Sequence, residues 1–157
     1  MALDVRSRAF IALSVMGIAV AVYHAYGEIF YAFNYCKINE VLSCGSVFAS
    51  GYTTVLGVAF WVYGVVWFPA CLLAGFLAIR RYGKPIGSVL VPFLMIGNIF
   101  TLYPWYIEIV LLNGRYCPVC ITLYIINYLL TAVALLSRSE EAEETEDVET
   151  DDPAAAP

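Results

Sequence analysis

Five cysteines stand in this chain of 157 residues, and four of them fall into two pairs whose spacing suits thiol chemistry. Cys117 and Cys120 lie in "RYCPVCITLYIIN", a Cys-x-x-Cys at the front of an apolar run. Proline is favoured in the first helical turn, so Pro118 marks a helix start, with Cys117 near its N-cap and Cys120 one turn along. Unpaired backbone N–H groups and the helix dipole at such an end stabilise an anion and raise the thiolate fraction of a thiol held there. Thiolates are the nucleophiles of disulfide exchange, so this pair is placed to react. The alternative is a purely structural bridge, although so small a ring constrains the unfolded chain little.

Cys36 and Cys44 are separated by seven residues, and Gly45 follows the second. They sit in a loop with no strong element of its own, which reads as mobile. A dithiol there could meet a soluble protein on one side and Cys117/Cys120 on the other, through mixed disulfides. A static staple that pins the loop is the competing reading. Cys71 lies in an apolar segment and reads as a packed thiol. Of the 12 Tyr, nine Phe and three Trp, most belong to core or interfacial belts. Phe48, Tyr52 and Tyr124 flank the cysteines, however, and a flat quinone ring needs such apolar, stackable walls. Two dithiols beside aromatic-rich helices therefore suggest a relay that ends on a lipid-soluble electron acceptor.

What positions these groups is a membrane-embedded scaffold. With 62% hydrophobic residues, 13% charged and a mean hydropathy of +0.79, the chain is too apolar for a water-soluble domain. Four segments, roughly 9–33, 54–79, 86–112 and 118–137, approach the ~20 residues that a ~30 Å hydrocarbon layer requires. Backbone groups in lipid must be satisfied internally, so helices are expected. Pro69, Pro92 and Pro104 fall inside the second and third segments, where packed membrane helices tolerate them with some kinking. The fold class expected is all-α: a four-transmembrane-helix bundle with a cysteine-bearing outer loop between helices 1 and 2. Arg6, Arg8 and the small-x-small "AVA" at Ala19 to Ala21 imitate a signal peptide. The apolar run continues to Phe33, longer than an h-region of ~7–15 residues, which favours an anchoring helix.

The net charge of −5 is a property of the tail, because nine of the 13 acidic residues follow Ser139. Residues 1–139 hold all eight Lys and Arg against Asp4, Glu28, Glu40 and Glu108, hence +4. The chain divides into a catalytic unit, 1–139, and an acidic tail, 140–157, with little to bury and an expectation of disorder. Lys and Arg in short loops mark the cytoplasmic side. Arg6, Arg8, Arg80, Arg81, Lys84 and Arg138 oppose Lys37 and Arg115, which puts both termini in the cytoplasm and the two cysteine pairs on the outer, oxidising side of the cell membrane, where disulfides persist. His24, with Glu28 one turn later, and Glu108 lie at membrane depth. Such residues are functional candidates by default, and quinone reduction consumes two protons; the simpler role of His24 is to partner Glu28 at i,i+4.

Taken together, "YCKINEVLSCGSVFASGY" and "CPVCITLYIIN" resemble the vitamin K epoxide reductase family of quinone-linked thiol oxidoreductases. The resemblance covers about residues 9–137 and includes the Cys36/Cys44 spacing, the following "SVFAS", the Cys-x-x-Cys that opens the last helix, and Tyr124 and Asn127 beyond it. It implies that Cys36 meets a thioredoxin-like partner, Cys44 attacks Cys117, and Cys120 sits nearest the quinone. Phe48 and Tyr124 match quinone-pocket positions of the family, and Tyr52, just after Ser50, stands where an aromatic is usual. The vertebrate epoxide-reducing enzymes carry an Asn in the second helix, whereas Val55 to Trp61 reads "VLGVAFW" here. That departure points to a disulfide-forming enzyme that reduces a menaquinone, ubiquinone or similar quinone. The expected partners are a separate thioredoxin-like protein, the quinone and the bilayer, with no nucleic acid and no metal. The alternatives are a non-enzymatic membrane scaffold or transporter with structural disulfides, or a four-Cys zinc site, since Zn²⁺ accepts four thiolates in tetrahedral geometry.

Overall fold

The structure, a computed structural model, describes residues 5–31, 36–82 and 87–150. Helix α1 spans Val5–Tyr31, and a short α2 spans Cys44–Phe48. A hairpin follows, β1 at Thr54–Val55 and β2 at Val58–Ala59, before α3 at Phe60–Tyr82. Next come α4 at Gly87–Tyr106, which widens into a π-helical turn at Ile107–Leu111, and α5 at Pro118–Thr150. Four of these segments, Val5–Tyr31, Phe60–Ala78, Leu90–Leu111 and Pro118–Arg138, are long and apolar enough to cross a membrane. Ile96, Ile99 and Leu129 on their outer faces are exposed, which suits contact with lipid.

One sequence expectation about a boundary needs correction. The second span starts at Phe60 rather than near residue 54, because residues 54–59 pair as a hairpin in the register Thr54↔Ala59 and Val55↔Val58. β-branched Thr54, Val55 and Val58 favour extended backbone. The turn between the strands needs positive φ at both central residues, supplied by Leu56 at 53° and Gly57 at 78°. The Tyr63 hydroxyl donates to the Val55 carbonyl at 2.8 Å and ties the hairpin back to α3. At the other end of the chain, α5 continues as helix through Thr150. Glu and Ala are good helix formers, and lengthening an existing helix requires no new nucleus. Residues 151–157 lie outside the described residues.

Small residues let the helices approach. In α1 the buried positions Phe10, Ser14, Gly17, Ala21 and His24 recur at three- and four-residue steps, the period of one helix face. Against them α3 supplies a reciprocal lock: the Phe68 ring lies over Gly17, where a Cβ would come within 2.2 Å of it, and the Phe10 ring lies over Gly75, where the corresponding distance is 2.7 Å. Small-residue contacts of this kind drive association in lipid, where hydrophobicity cannot. The core around this lock includes Cys71, Leu90, Leu94, Ile126 and Leu130. Helix α1 packs on α3 and α5, and α4 packs on α5, while α3 and α4 touch each other sparsely. The space between them is bridged by Trp67, which stacks on Phe93 at 4.6 Å and donates its indole N–H to Asn127 Oδ1 at 2.9 Å. Asn127 in turn donates to Asn98, and Asn98 donates to Thr131 Oγ1 at 3.0 Å. Each amide is thus partnered at membrane depth, where an orphan would be costly.

This bridge makes Gly97 sensitive to substitution. A Cβ at residue 97 would stand 2.2 Å from Trp67 Cζ2, and the indole is held by both stacking and a hydrogen bond. Gly97→Val is expected to lower stability by ~1–3 kcal/mol, the usual range for overpacking, read as a lower melting temperature in detergent. Gly64→Ala is the control, since a Cβ there meets nothing closer than 3.7 Å. Equal melting temperatures for the two variants would contradict the bridge.

Candidate redox site

The alternation of four spans brings the end of α1, the start of α3, the π turn after α4 and the start of α5 to one end of the bundle. Both cysteine pairs lie there. The loop that carries the first pair is better organised than its sequence suggests. Asn39 Oδ1 accepts from the Val41 and Leu42 N–H groups at 2.9 and 2.7 Å. Tyr116 N–H donates to the Val41 carbonyl at 2.8 Å, and Ser43 N–H to the Tyr116 carbonyl at 3.0 Å, a short bridge that fastens the loop to the residue before Cys117. Ser43 then caps α2, its Oγ accepting from Ser46 N–H at 3.4 Å. The expectation of a loop without an element of its own is corrected by this cap and bridge, which set Cys44 at the first position of α2.

Cys36 and Cys44 are joined as a disulfide, with Cα atoms 5.5 Å apart, while Cys117, Cys120 and Cys71 are free thiols. Cys117 Sγ lies 3.0 Å from Cys44 Sγ across 73 residues of sequence. Both are fully buried, whereas Cys36 is half-buried. Cys120 N–H points at Cys117 Sγ at 3.4 Å, so the sulfur occupies the acceptor position at the head of α5 that the sequence assigns to it. Sulfurs in contact, with a donor aimed at Cys117 Sγ, put the two pairs within reach of thiol–disulfide exchange. Because Cys36 and Cys44 are bonded to each other, two of the four thiolates of the zinc reading are committed elsewhere in this state.

Two ionisable side chains complete the site. His24 is 2% exposed, and its Nε2 lies 3.6 Å from Cys120 Sγ, with the imidazole edge-on to Phe48 at 4.9 Å between ring centres. The donor atoms of His24, Cys117 and Cys120 all fall within 4.8 Å of one another. Sequence reasoning set His24 beside Glu28 and gave it a lesser part. The signal that could have found it is its place on the buried stripe of α1, where Phe10, Ser14, Gly17 and Ala21 precede it. Glu108 is 1% exposed. It sits in the π turn, a helix irregularity that often marks functional sites, and its Oε1 accepts the Cys117 N–H at 3.1 Å. Its Oε2 is buried without a hydrogen-bond partner, as are the Tyr124 hydroxyl and Trp105 Nε1.

Below the sulfurs, between α3, α4 and α5, opens a cavity of about 490 Å³. That volume suits a ring-sized ligand, which typically occupies 300–1,000 Å³. Its walls are aromatic, with Phe60, Tyr63, Trp67 and Phe100 among them, and Cys120, His24 and Tyr124 also line it. Phe60 and Phe100 are stacked, with ring centres 5.3 Å apart and planes within 4° of parallel. A second, much smaller cavity is lined by Phe48, Glu108, Cys120 and Tyr124 among others. Of the three aromatics proposed from sequence, Tyr124 lines both cavities and Phe48 lines the smaller one. Tyr52 lines neither and is 51% exposed. Phe60, Trp67 and Phe100 went unnoticed, although Phe60, Tyr63 and Trp67 recur at helical spacing along one face of α3. Cys71 is packed with Phe10 and Phe68 in the apolar core.

Comparison with curated proteins returned no match. Over residues 8–135 the chain matches the family model described as "Vitamin K epoxide reductase family".

Proposed function

This chain belongs to the vitamin K epoxide reductase family, and from that premise we propose that it oxidises the dithiol of a thioredoxin-like partner and reduces a membrane quinone. The partner's two thiols reduce Cys36–Cys44 by exchange, with Cys36, the more accessible sulfur, attacked first. Cys44 then attacks a Cys117–Cys120 disulfide at Cys117 and releases Cys120. Attack of Cys36 on Cys44 restores the loop disulfide and leaves Cys117 and Cys120 as thiols. The bonded loop pair and free helix pair of the structure are compatible with that last state. The remaining step carries two electrons and two protons from Cys117/Cys120 to quinone and closes their disulfide. Net, a partner dithiol and a quinone become a partner disulfide and a quinol.

The observation that carries this reading is the continuous path of sulfur: Cys44 touches Cys117 at 3.0 Å, and Cys120, one turn along α5, lines the aromatic cavity. Phe60, Phe100 and Tyr124 would hold a flat ring by stacking and exclude water. Phe48 would support the site from the small cavity. The quinone supplies the electron-accepting ring; the protein supplies orientation, a dry environment and sulfur in reach. Six cationic residues against two favour the sulfur-bearing end on the extracytoplasmic side, with the acidic segment from residue 140 in the cytoplasm.

The test uses the full chain, purified in detergent, with a reduced thioredoxin-like protein and a short-chain quinone. Partner thiols are expected to disappear in step with quinone absorbance, and solvent extraction of the purified protein is expected to yield a membrane quinone. Thiol loss without equivalent quinone reduction would refute the coupling.

A further inference from the structure

Resting on that reading, the question that follows concerns protons. Closing Cys117–Cys120 while forming a quinol breaks two S–H bonds, makes one S–S bond, transfers two electrons to the acceptor and leaves two protons to be moved to its oxygens. In a cavity walled by Phe60, Trp67 and Phe100, bulk water is not at hand to carry them. Side chains must do so.

Among the described residues, His24 and Glu108 are buried against this dithiol, and they come from different elements. His24, on α1, directs Nε2 at Cys120 Sγ and also lines the large cavity. Glu108, in the π turn, holds the Cys117 N–H with one oxygen, while its other oxygen is buried and unpartnered. A merely structural helix cap uses a single acceptor atom, which Ser, Asn or Asp commonly supplies. A second carboxylate oxygen left unsatisfied in an apolar site is costly, so capping alone does not explain a glutamate here. Its side chain shares the small cavity with Cys120 and Tyr124. The Tyr124 hydroxyl is likewise buried without a partner, and Tyr124 is common to both cavities.

We infer that the dithiol is served by one base per sulfur: His24 takes the proton of Cys120, and Glu108 takes that of Cys117. His24 passes its proton directly into the large cavity it lines. Glu108 passes its proton by way of the Tyr124 hydroxyl, which accepts one proton as it gives up another. Both protons end on the acceptor's oxygens, and His24, Glu108 and Tyr124 finish in the protonation states in which they began. The scheme makes His24 a catalytic residue, in contact with a reacting sulfur, and gives the π turn a purpose: it brings a carboxylate to the head of the next helix.

The test separates proton transfer from sulfur exchange. His24→Gln and Glu108→Gln are made in the full chain; Gln at 108 retains an oxygen for the Cys117 N–H, so the cap survives. Each reduced variant is mixed with a short-chain quinone, and a single turnover is followed by quinone absorbance. General acid–base catalysis contributes typically ~10²–10⁴-fold, so each variant is expected to slow by ~10²-fold or more, with an altered solvent deuterium isotope effect. Exchange of the Cys36–Cys44 disulfide with a partner dithiol, followed by alkylation and mass spectrometry, is expected to stay near the wild-type rate. Wild-type single-turnover rates in both variants would overturn the inference. So would equal loss of exchange and quinone reduction, which marks a structural role. If the wild-type chain reduces no quinone, the functional reading itself fails and the proton carriers fall with it.

Discussion

Cys120→Ser is expected to reduce quinone-coupled thiol oxidation by ~10³-fold or more, the scale on which removal of a reacting nucleophile acts. The effect should be near-complete because Cys120 has no substitute. It is the sulfur that both neighbours Cys117 in α5 and lines the aromatic cavity, and Cys71 is packed away in the apolar core. A hydroxyl neither forms a disulfide nor delivers electrons. The substitution should also leave a covalent record. Without its own partner, Cys117 can still attack Cys44, 3.0 Å away, breaking Cys36–Cys44 and joining Cys44 to Cys117 while Cys36 becomes free. Alkylation followed by peptide mass spectrometry should find that crosslink enriched over wild type. Cys120→Ser protein with full quinone-dependent activity would refute the relay at its last sulfur.

Cys44→Ser is expected to abolish partner-dependent turnover to a similar degree, but to stall at a different place. Cys44 is fully buried against Cys117, while Cys36 is half-buried, so only Cys36 is presented to a soluble protein. With Cys44 gone, Cys36 attacks a one-cysteine partner held as a mixed disulfide with a small thiol, the small thiol leaves, and no second sulfur remains in the loop or in the partner to release it. A mixed disulfide between Cys36 and the partner should therefore accumulate and appear as a reducible higher-mass band. Cys36→Ser should give no such adduct, because the remaining loop sulfur is enclosed. Adduct formation in Cys36→Ser but not in Cys44→Ser would reverse the proposed order of the two cysteines.

Both predictions depend on long-range contacts that arise from modest local chemistry. Asn39 folds its own turn, Ser43 caps α2, and two backbone hydrogen bonds at Tyr116 fasten this unit to the head of α5. None of these interactions is strong singly, since a hydrogen bond contributes a net ~0.5–1.5 kcal/mol. Their combined result is to hold Cys44 on Cys117 rather than near it. The attachment also bears on the staple reading of the loop disulfide: Cys36–Cys44 spans a segment that is already pinned beside the second pair.

The spans and the start of the last helix beside Cys117 and Cys120 were legible because they follow from local rules. Lipid demands about 20 apolar residues per crossing, and Pro118 announces a helix start with thiols in its first turn. Boundaries shifted where a local turn competed with apolarity, as at Leu56–Gly57, which an apolar count reads as more membrane helix. The cavity-wall residues were legible only in part. Tyr124 follows Cys120 by one turn on the same helix, so spacing alone places it well. Phe60 and Trp67 come from α3 and Phe100 from α4, and which faces meet depends on packing that composition does not encode. His24 illustrates the limit most clearly: its i,i+4 neighbour Glu28 is visible in one dimension, whereas Cys120, 96 positions away, is not.

By itself, then, the amino-acid sequence determined the four apolar crossings, the two cysteine spacings and the helix start beside the second pair, because each depends on residues within a turn or a span of one another. Only the tertiary structure decided that Cys44 rests on Cys117, that His24 and Glu108 flank the free thiols, and that an aromatic cavity opens beside Cys120. Those contacts depend on the reciprocal seating of Phe10 and Phe68 over glycines and on Trp67 spanning the space between α3 and α4. Such close-range steric matches between distant segments settle which helix faces turn inward, and no pattern along a single segment contains them.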